Sequence, residues 1–198
     1  MSSEKPTGAD NQQERLVTFD WLDRIPNDLG HYIAGFVDGE GSFNVPIIRE
    51  RDRGLPWRVT LSFNVSQRGP EMGNLLLDTF GVGRTRGRSD GVFYFEVTKP
   101  LHLEERVFPF FERFYLRGPK AIDLEIFKSI TRLVRPGCHL SVEGIEQILI
   151  LRNPMNRGGK RRRSDEEIIA LLRNENPQRP YAKLPLGSEG DEEMVQPS

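Results

Sequence analysis

The chain of 198 residues is long enough for one domain of ordinary size with tails, and its composition, 36% hydrophobic and 29% charged, is typical of a globular protein. No apolar run approaches membrane-spanning length, and no signal segment stands at the start. We therefore expect an intracellular protein, in the cytoplasm or nucleoid of a bacterium or in an organelle. The single cysteine, Cys138, excludes an intrachain disulfide and a multi-cysteine zinc site.

The net charge of −1 argues against a nucleic-acid partner, because phosphate binding needs positive potential. The distribution of charge changes that interpretation. Residues 44–88 contain eight arginines and four acidic residues, a balance of +4, whereas residues 1–30 and 183–198 each carry −3. A basic middle region is therefore flanked by acidic ends.

Composition also predicts the domain boundaries. Residues 1–18 are polar and show no periodicity, and residues 176–198 are acidic and rich in proline and glycine, so we expect both to be disordered tails. Residues 19–175 are predicted to form a single domain without internal repeats.

The most informative stretch runs from residue 32 to residue 42 and combines small residues with acidic side chains. We predict a helix over residues 28–38, begun by a capping Asn27 or Asp28 and ended by Gly39 and Gly41. Glu40 then lies just past the helix end, where the helix dipole and the unpaired carbonyls favour a cation. By residue type alone, a solvated carboxylate is the simpler interpretation of Glu40.

Two hairpins are predicted after this helix. Residues 43–47 alternate in polarity, with Pro46 favouring an edge or a bulge, and residues 57–66 alternate more clearly, with one face apolar and the other polar. A helix from Pro70 to Gly81 separates them from a second hairpin formed by residues 85–88 and 92–97. The polar faces form either a solvated sheet surface or a surface that reads DNA.

The remainder is predicted to be helical. We expect Pro109 to end one helix at about residue 108, a longer helix from Pro119 to present Ile122, Ile126, Ile130 and Val134, and Ser141 to cap the next. The basic run at residues 157–163 is either solvated or a phosphate clamp. A capping box of Ser164 and Glu167 opens a last helix.

The string Ile33-Ala34-Gly35-Phe36-Val37-Asp38-Gly39-Glu40-Gly41 resembles the signature of the LAGLIDADG homing endonucleases. The segment at residues 81–84 and the segment at residues 114–120 resemble further parts of these proteins. The resemblance implies an α+β fold of αββαββα order, with a saddle-shaped antiparallel sheet and extra C-terminal helices. It also implies a site-specific, metal-dependent DNA endonuclease.

The resemblance assigns roles to particular residues. Glu40 and the Gly39 carbonyl would bind Mg²⁺ or Mn²⁺, Lys120 would be the active-site cation with Arg117 as the substitute, and Gln67 would help position the attacking water. A single motif implies a homodimer in which two motif helices pack together. The residues expected at that interface are Ala34, Gly35 and Asp38.

The partner implied by the resemblance is double-stranded DNA, with no membrane and no small-molecule cofactor. Strands of ten residues reach ~33 Å, so two subunits would cover ~66 Å, or about 20 base pairs. A homodimer predicts a near-palindromic target. The residues expected to contact this DNA are Asn44, Arg49, Arg51, Arg58, Thr60, Ser62, Arg84, Arg86 and Arg88.

The alternative from another functional class is a nucleic-acid binder of the same fold that does not cleave, such as an intron maturase or a transcription regulator. The acid at position 40 and the lysine at position 120 favour the enzyme. An intein is disfavoured because the chain lacks splicing residues at its ends, and a small-molecule enzyme is disfavoured because His31, His102 and His139 form no second catalytic constellation.

Overall fold

A computed structural model describes residues 20–50, 57–156 and 163–175. The predicted tails and most of the basic run at residues 157–163 lie outside the described residues. Within the described ranges, besides a turn of helix at residues 20–23 and a short 3-10 helix at Cys138–Leu140, the chain forms six strands and six longer helices. They are α1 (Asn27–Glu40), β1 (Gly41–Asn44), β2 (Ile47–Arg49), β3 (Trp57–Val59), β4 (Ser62–Arg68), α2 (Glu71–Phe80), β5 (Arg84–Gly87), β6 (Val92–Val97), α3 (residues 100–113), α4 (Lys120–Val134), α5 (Val142–Arg152) and α6 (Asp165–Glu175).

Helix α1 is longer at its C-terminus than the sequence predicts. Gly39 and Glu40 belong to the helix, and the chain leaves it at Gly41 in an extended conformation, with φ −74° and ψ 164°. A Cβ at Gly41 would lie 2.6 Å from Val37 Cγ1, so only glycine allows this direct passage from helix to strand. The predicted side-chain cap is also wrong, because Pro26 precedes the helix without one.

The four-stranded sheet has the order β1-β4-β6-β5, and every neighbouring pair is antiparallel. Strands β2 and β3 form a separate two-stranded ribbon that continues the first hairpin away from the sheet. Each predicted strand of that hairpin is therefore split. The first is interrupted at residues 45–46, where Pro46 cannot donate to the ladder, and the second at residues 60–61.

One face of the sheet carries the hydrophobic core. Phe43, Phe63 and Phe95 are fully buried on it, and their rings contact Phe80 of α2 and Phe111 of α3. Alternation puts the even-numbered residues of β1, β4 and β6 on the opposite face. A polar groove on that face is lined by Asn44, Ser62, Asn64 and Glu96.

Pro109 does not end a helix. A turn at Pro100–His102, a π-helical segment at Leu103–Val107 and an α-helix at Phe108–Arg113 run without a break. The N–H of Phe108 donates to the Leu103 carbonyl, five residues back, and the wider π turn stands directly before the proline. Local widening therefore replaces the interruption that the sequence predicts.

The C-terminal helices match the predicted caps. Ser141 Oγ accepts from the N–H of Gly144 at 3.0 Å, and Ser164 and Glu167 exchange both bonds of the capping box, at 3.1 and 3.2 Å. The predicted buried face of α4 is partly wrong, because Ile122 is 66% exposed and Leu124 and Phe127 are buried. No helix among the described residues is long and apolar enough to cross a membrane.

Candidate active site and nucleic-acid interface

The C-terminal end of α1 carries the candidate catalytic acid. Glu40 is the last helical residue and is exposed, and β1 begins at the next residue. Gly41 pairs with Val65, and Gln67 lies two residues beyond Val65 along β4. This register places Gln67 at the end of the sheet where α1 joins β1, and its role in positioning water stays a prediction.

Lys120 is the cation that the fold brings to this end. Its Nζ donates to the carbonyl oxygens of Asp38 at 2.8 Å and Gly39 at 2.6 Å. These are unpaired carbonyls at the negative end of the helix dipole, where an ammonium group is stabilised. Arg117 is used elsewhere, since its Nη2 donates to the Tyr115 hydroxyl at 3.1 Å and its guanidinium lies 5.1 Å from the Tyr115 ring centre.

Asp38 binds the loop that precedes Lys120. Its Oδ2 accepts from the backbone N–H groups of Arg117 at 2.8 Å and Gly118 at 2.7 Å. A Cβ at Gly118 would lie 2.8 Å from Asp38 Oδ1, so the close approach depends on glycine. The carboxylate of Asp38 therefore works inside its own subunit, although the sequence assigned it to the dimer interface.

The exposed face of α1 is lined by small and aromatic residues. Gly35 and Gly39 are exposed, a Cβ on either would meet nothing within 4 Å, and Tyr32 is 56% exposed. Ala34, which the sequence placed beside Gly35 on this face, is instead buried in its own subunit, with 4% exposure. The difference arises because Ala34 follows Ile33 on the buried stripe, whereas Gly35 is turned a further 100° around the helix.

The polar face of the sheet carries a connected network. Ser62 Oγ donates to Glu96 Oε1 at 2.9 Å, and Arg84 donates to Glu96 Oε2 through Nη2 at 2.7 Å and through Nε at 3.2 Å. Partial burial raises the pKa of Glu96, but the hydrogen bonds from Arg84 and Ser62 and the charges of Arg84 and Arg86 outweigh it. The pKa of this carboxyl lies below its ordinary value, so it stays ionised at neutral pH.

Tyr94 organises two arginines further along the same face. Arg86 and Arg88 place their guanidinium carbons 5.8 and 5.9 Å from its ring centre, and Arg88 Nη1 donates to its hydroxyl at 3.0 Å. Stacking of this kind restricts flexible arginines while leaving them exposed. The hydrogen bond also raises the pKa of Arg88, which remains a cation.

The other predicted DNA-contacting residues lie at different places. Ser62 is buried as a member of the network, Asn44 and Thr60 are half-buried, and all three line a groove of about 880 Å³. Arg49 and Arg58 are exposed on opposite faces of the β2–β3 ribbon, because neighbouring positions point to opposite sides. Arg51 lies outside the described residues.

Sequence reasoning missed Glu96 and Tyr94 as part of this surface. Both alternate with buried residues in β6, which was sufficient to place them on the polar face. Arginine is the residue type expected to contact phosphates, whereas in the structure an acid and an aromatic ring hold the arginines in place.

Comparison with known sequences shows which protein family has this fold and this site. The sequence model described as LAGLIDADG endonuclease matches residues 33–131, half of the chain, and the chain belongs to this family. It is 33% identical over 129 residues to the "Probable intron-encoded endonuclease 3" of Neurospora crassa, covering 63% of this chain and 24% of that relative. The chain thus spans about a quarter of the length of the first curated relatives it matches.

Solved structures give the same fold. The homing endonuclease I-TnaI superposes with a TM-score of 0.62 at 29% identity, covering 74% of this chain and 96% of that one. Meganuclease I-SmaMI bound to uncleaveable DNA superposes with a TM-score of 0.62 at 25% identity, covering 75% of this chain but 48% of that one. The predicted α+β fold class is therefore confirmed.

Proposed function

We propose that the chain is a site-specific DNA endonuclease that acts as a homodimer and requires a divalent metal ion, Mg²⁺ or Mn²⁺. The observation that carries the proposal is the exposed end of α1, where Glu40 directly follows the two backbone carbonyls, of Asp38 and Gly39, that hold the Lys120 ammonium group. The glycine-lined face of the same helix is open to a second subunit. The coverage of about half of I-SmaMI is consistent with two copies completing one enzyme.

The residues present fit a hard cation, because Glu40 is an exposed carboxylate and Gly39 offers a carbonyl oxygen. The described residues of one subunit contain no group of three or more His, Cys, Asp or Glu side chains that would hold a metal. Glu40 of a second subunit and DNA phosphate oxygens would supply the remaining ligands. The Gly39 carbonyl already accepts from Lys120, so Glu40 is the principal ligand.

The bound ion would stabilise negative charge on the scissile phosphate and on the leaving 3′ oxygen. The Lys120 ammonium group would add a second positive charge near the scissile phosphate. Two backbone carbonyls at the end of α1 fix the position of this ammonium group. The Gln67 amide would orient the attacking water. The polar sheet face would lie along the major groove, where the arginines around Tyr94 and Glu96 contact phosphates or bases.

The proposal is tested with Glu40→Gln and a plasmid library carrying randomised near-palindromic inserts of about 20 base pairs. Because the relatives are named as intron-encoded, the insertion site of the gene, without its intron, is included as a candidate target. The wild-type protein should linearise selected plasmids with Mg²⁺, and E40Q should bind them without cutting. Asp28→Asn, an acid at the other end of α1, is the matched control and should still cut.

Cleavage by E40Q at the wild-type rate would overturn the role of Glu40. Tight, selective binding by the wild-type protein without cleavage in Mg²⁺ or Mn²⁺ would instead favour a non-cleaving binder of the same fold.

A further inference from the structure

Asn156 has a left-handed backbone conformation. It lies in the turn after α5 and is the only non-glycine residue with positive φ, 51°, in the described part of the chain. Asparagine tolerates this left-handed conformation better than most residues. Its backbone N–H donates to Asp123 Oδ1 of α4 at 3.2 Å. The turn is therefore fixed against the helix that begins with Lys120.

The side chain of Asn156 reaches from this turn to β1. Its Nδ2 donates to the backbone carbonyl of Phe43 at 2.8 Å and to Asn44 Oδ1 at 3.2 Å. A carbonyl oxygen only accepts, so the contact with Phe43 determines which way the Asn156 amide is turned. An amide nitrogen only donates, so Asn44 must direct its oxygen towards Asn156 and its own nitrogen away from it.

Asn44 lies where this orientation has consequences. It ends β1 opposite Ser62, is half-buried, and lines the groove on the polar face together with Asn64 and Glu96. Within the described ranges, no residue accepts a hydrogen bond from Asn44 Nδ2. An amide donor with a fixed direction therefore stands in the wall of the proposed DNA interface.

We infer that Asn156 is a specificity-determining positioning residue that holds Asn44 with its amide donor towards the DNA. This inference rests on the proposed function and extends it to base selection. Guanine O6 and N7, adenine N7 and thymine O4 are acceptors in the major groove and satisfy Asn44 Nδ2. Cytosine offers only its N4 amino donor, so a cytosine facing Asn44 is rejected.

The experiment measures binding and cleavage of a target set in which every position carries each of the four bases in turn. Asn44→Ala identifies the position read by Asn44 as the one where discrimination is lost. Asn156→Gly keeps the left-handed backbone accessible while removing the amide. It should reduce discrimination against cytosine at that same position by roughly three- to tenfold, the effect of one hydrogen bond, and change other positions by less than about twofold.

A double-mutant experiment distinguishes positioning of Asn44 by Asn156 from a purely structural role of Asn156. In the Asn44→Ala background, Asn156→Gly should leave the base profile unchanged, because the residue it orients is absent. Asn74→Gly, the same change at an exposed position of α2 on the core side of the sheet, is the control and should keep the wild-type profile. Thermal unfolding of each variant reports any general loss of stability.

An unchanged base profile in Asn156→Gly would overturn the inference, as would an equal loss at every position or the same loss in the Asn44→Ala background. Failure of the proposed function is recognised separately, because the wild-type protein would then cut no target selectively, whether or not it binds one.

Discussion

Lys120 and Arg117 illustrate how two neighbouring cations acquire different roles. Both were candidates for the active-site cation in the sequence, and the fold separates them by direction. The Lys120 ammonium group is held by the last carbonyls of α1, whereas the Arg117 guanidinium lies over the Tyr115 ring. The sequence spacing of the two residues does not predict which one binds the helix end. That depends on how the loop carrying Arg117 and Lys120 packs against the C-terminal end of α1.

Replacing Lys120 with Met should lower the cleavage rate by at least 100-fold, because a preorganised positive charge at the phosphate is lost. DNA affinity should fall much less, since one charge among many phosphate contacts is removed. The matched variant Arg117→Ala should retain cleavage within about tenfold. Single-turnover cleavage with a filter-binding assay measures both quantities, and the reverse ranking of the two variants would assign the role to Arg117.

Glu96 is an acid in an arginine-rich surface, and its pKa is below the ordinary value in the folded protein. A carboxyl with a lowered folded-state pKa stabilises the fold above its unfolded pKa, and the contribution is lost as pH falls through the folded value. DNA binding between pH 6 and pH 8 is therefore expected not to change through Glu96 ionisation, because even an unperturbed Glu has a pKa of about 4.3.

Replacing Glu96 with Gln should change selectivity rather than total affinity. Removal of one negative charge strengthens non-specific binding at low salt, while Arg84 loses the partner that fixes its guanidinium group. The ratio of specific to non-specific affinity should therefore fall about tenfold, within the 1–3 kcal/mol of one base contact. Titrations across salt concentrations measure it, and an unchanged ratio at pH 7 would contradict the positioning of Arg84 by Glu96.

At the scale of the elements, period and capping signals placed most helices and strands correctly. The errors lie where tertiary contacts override local chemistry. Gly39 is compatible with ending a helix, but Lys120 binds its carbonyl and the helix continues to Glu40. Pro109 is compatible with a break, but a π-helical turn accommodates it. The contact between Lys120 and Gly39 joins distant segments and so leaves no local signal, whereas the π-helical turn is a local adjustment that the proline alone does not predict.

The C-terminal helix gives a second example at this scale. Its predicted start at Ser164 is confirmed, but its attachment to the rest of the domain was not predicted. Arg152 donates to Asp165 Oδ1 through Nε at 3.1 Å and through Nη2 at 2.5 Å, and also to the Val45 carbonyl. This buried ion pair joins α5, α6 and the residue that follows β1. Nothing in the local sequence around Arg152 or Asp165 predicts that the two side chains meet.

For the candidate site, the sequence singles out Glu40, Lys120 and the polar strands because the motif and the alternation are local, and the catalytic roles of Glu40 and Lys120 stay predictions. It placed Ala34 on the wrong face and missed Glu96, Tyr94 and Asn156. Their roles depend on partners that lie across the sheet or in another helix. Residue type predicts the chemistry available, whereas tertiary packing decides which groups meet.

At the scale of the whole molecule, the open face of α1 predicts the oligomeric state. Gly35→Leu should fold as a subunit, because Gly35 is exposed, a Cβ there would meet nothing within 4 Å, and leucine favours helix. It should block the close approach of two helices, giving a monomer in light scattering and no double-strand break. A dimer of unchanged stability would exclude α1 as the interface.

Gly30→Ala on the buried side of the same helix is the contrasting control. Its Cβ would lie 2.4 Å from the Phe114 ring, so this variant should lose stability in thermal unfolding rather than lose dimerisation alone. The pair thus distinguishes damage to the subunit from damage to the assembly.

The contact between Lys120 and Gly39 joins positions that are 81 residues apart in the chain. During translation the N-terminal acid emerges first, and its cationic partner leaves the ribosome only after most of the domain has been synthesised. A nascent or prematurely terminated chain therefore has the acid without its partner. Under the proposed function, a chain that ends before Lys120 therefore lacks the cation of the active site, and synthesis past Lys120 is required before DNA can be cut.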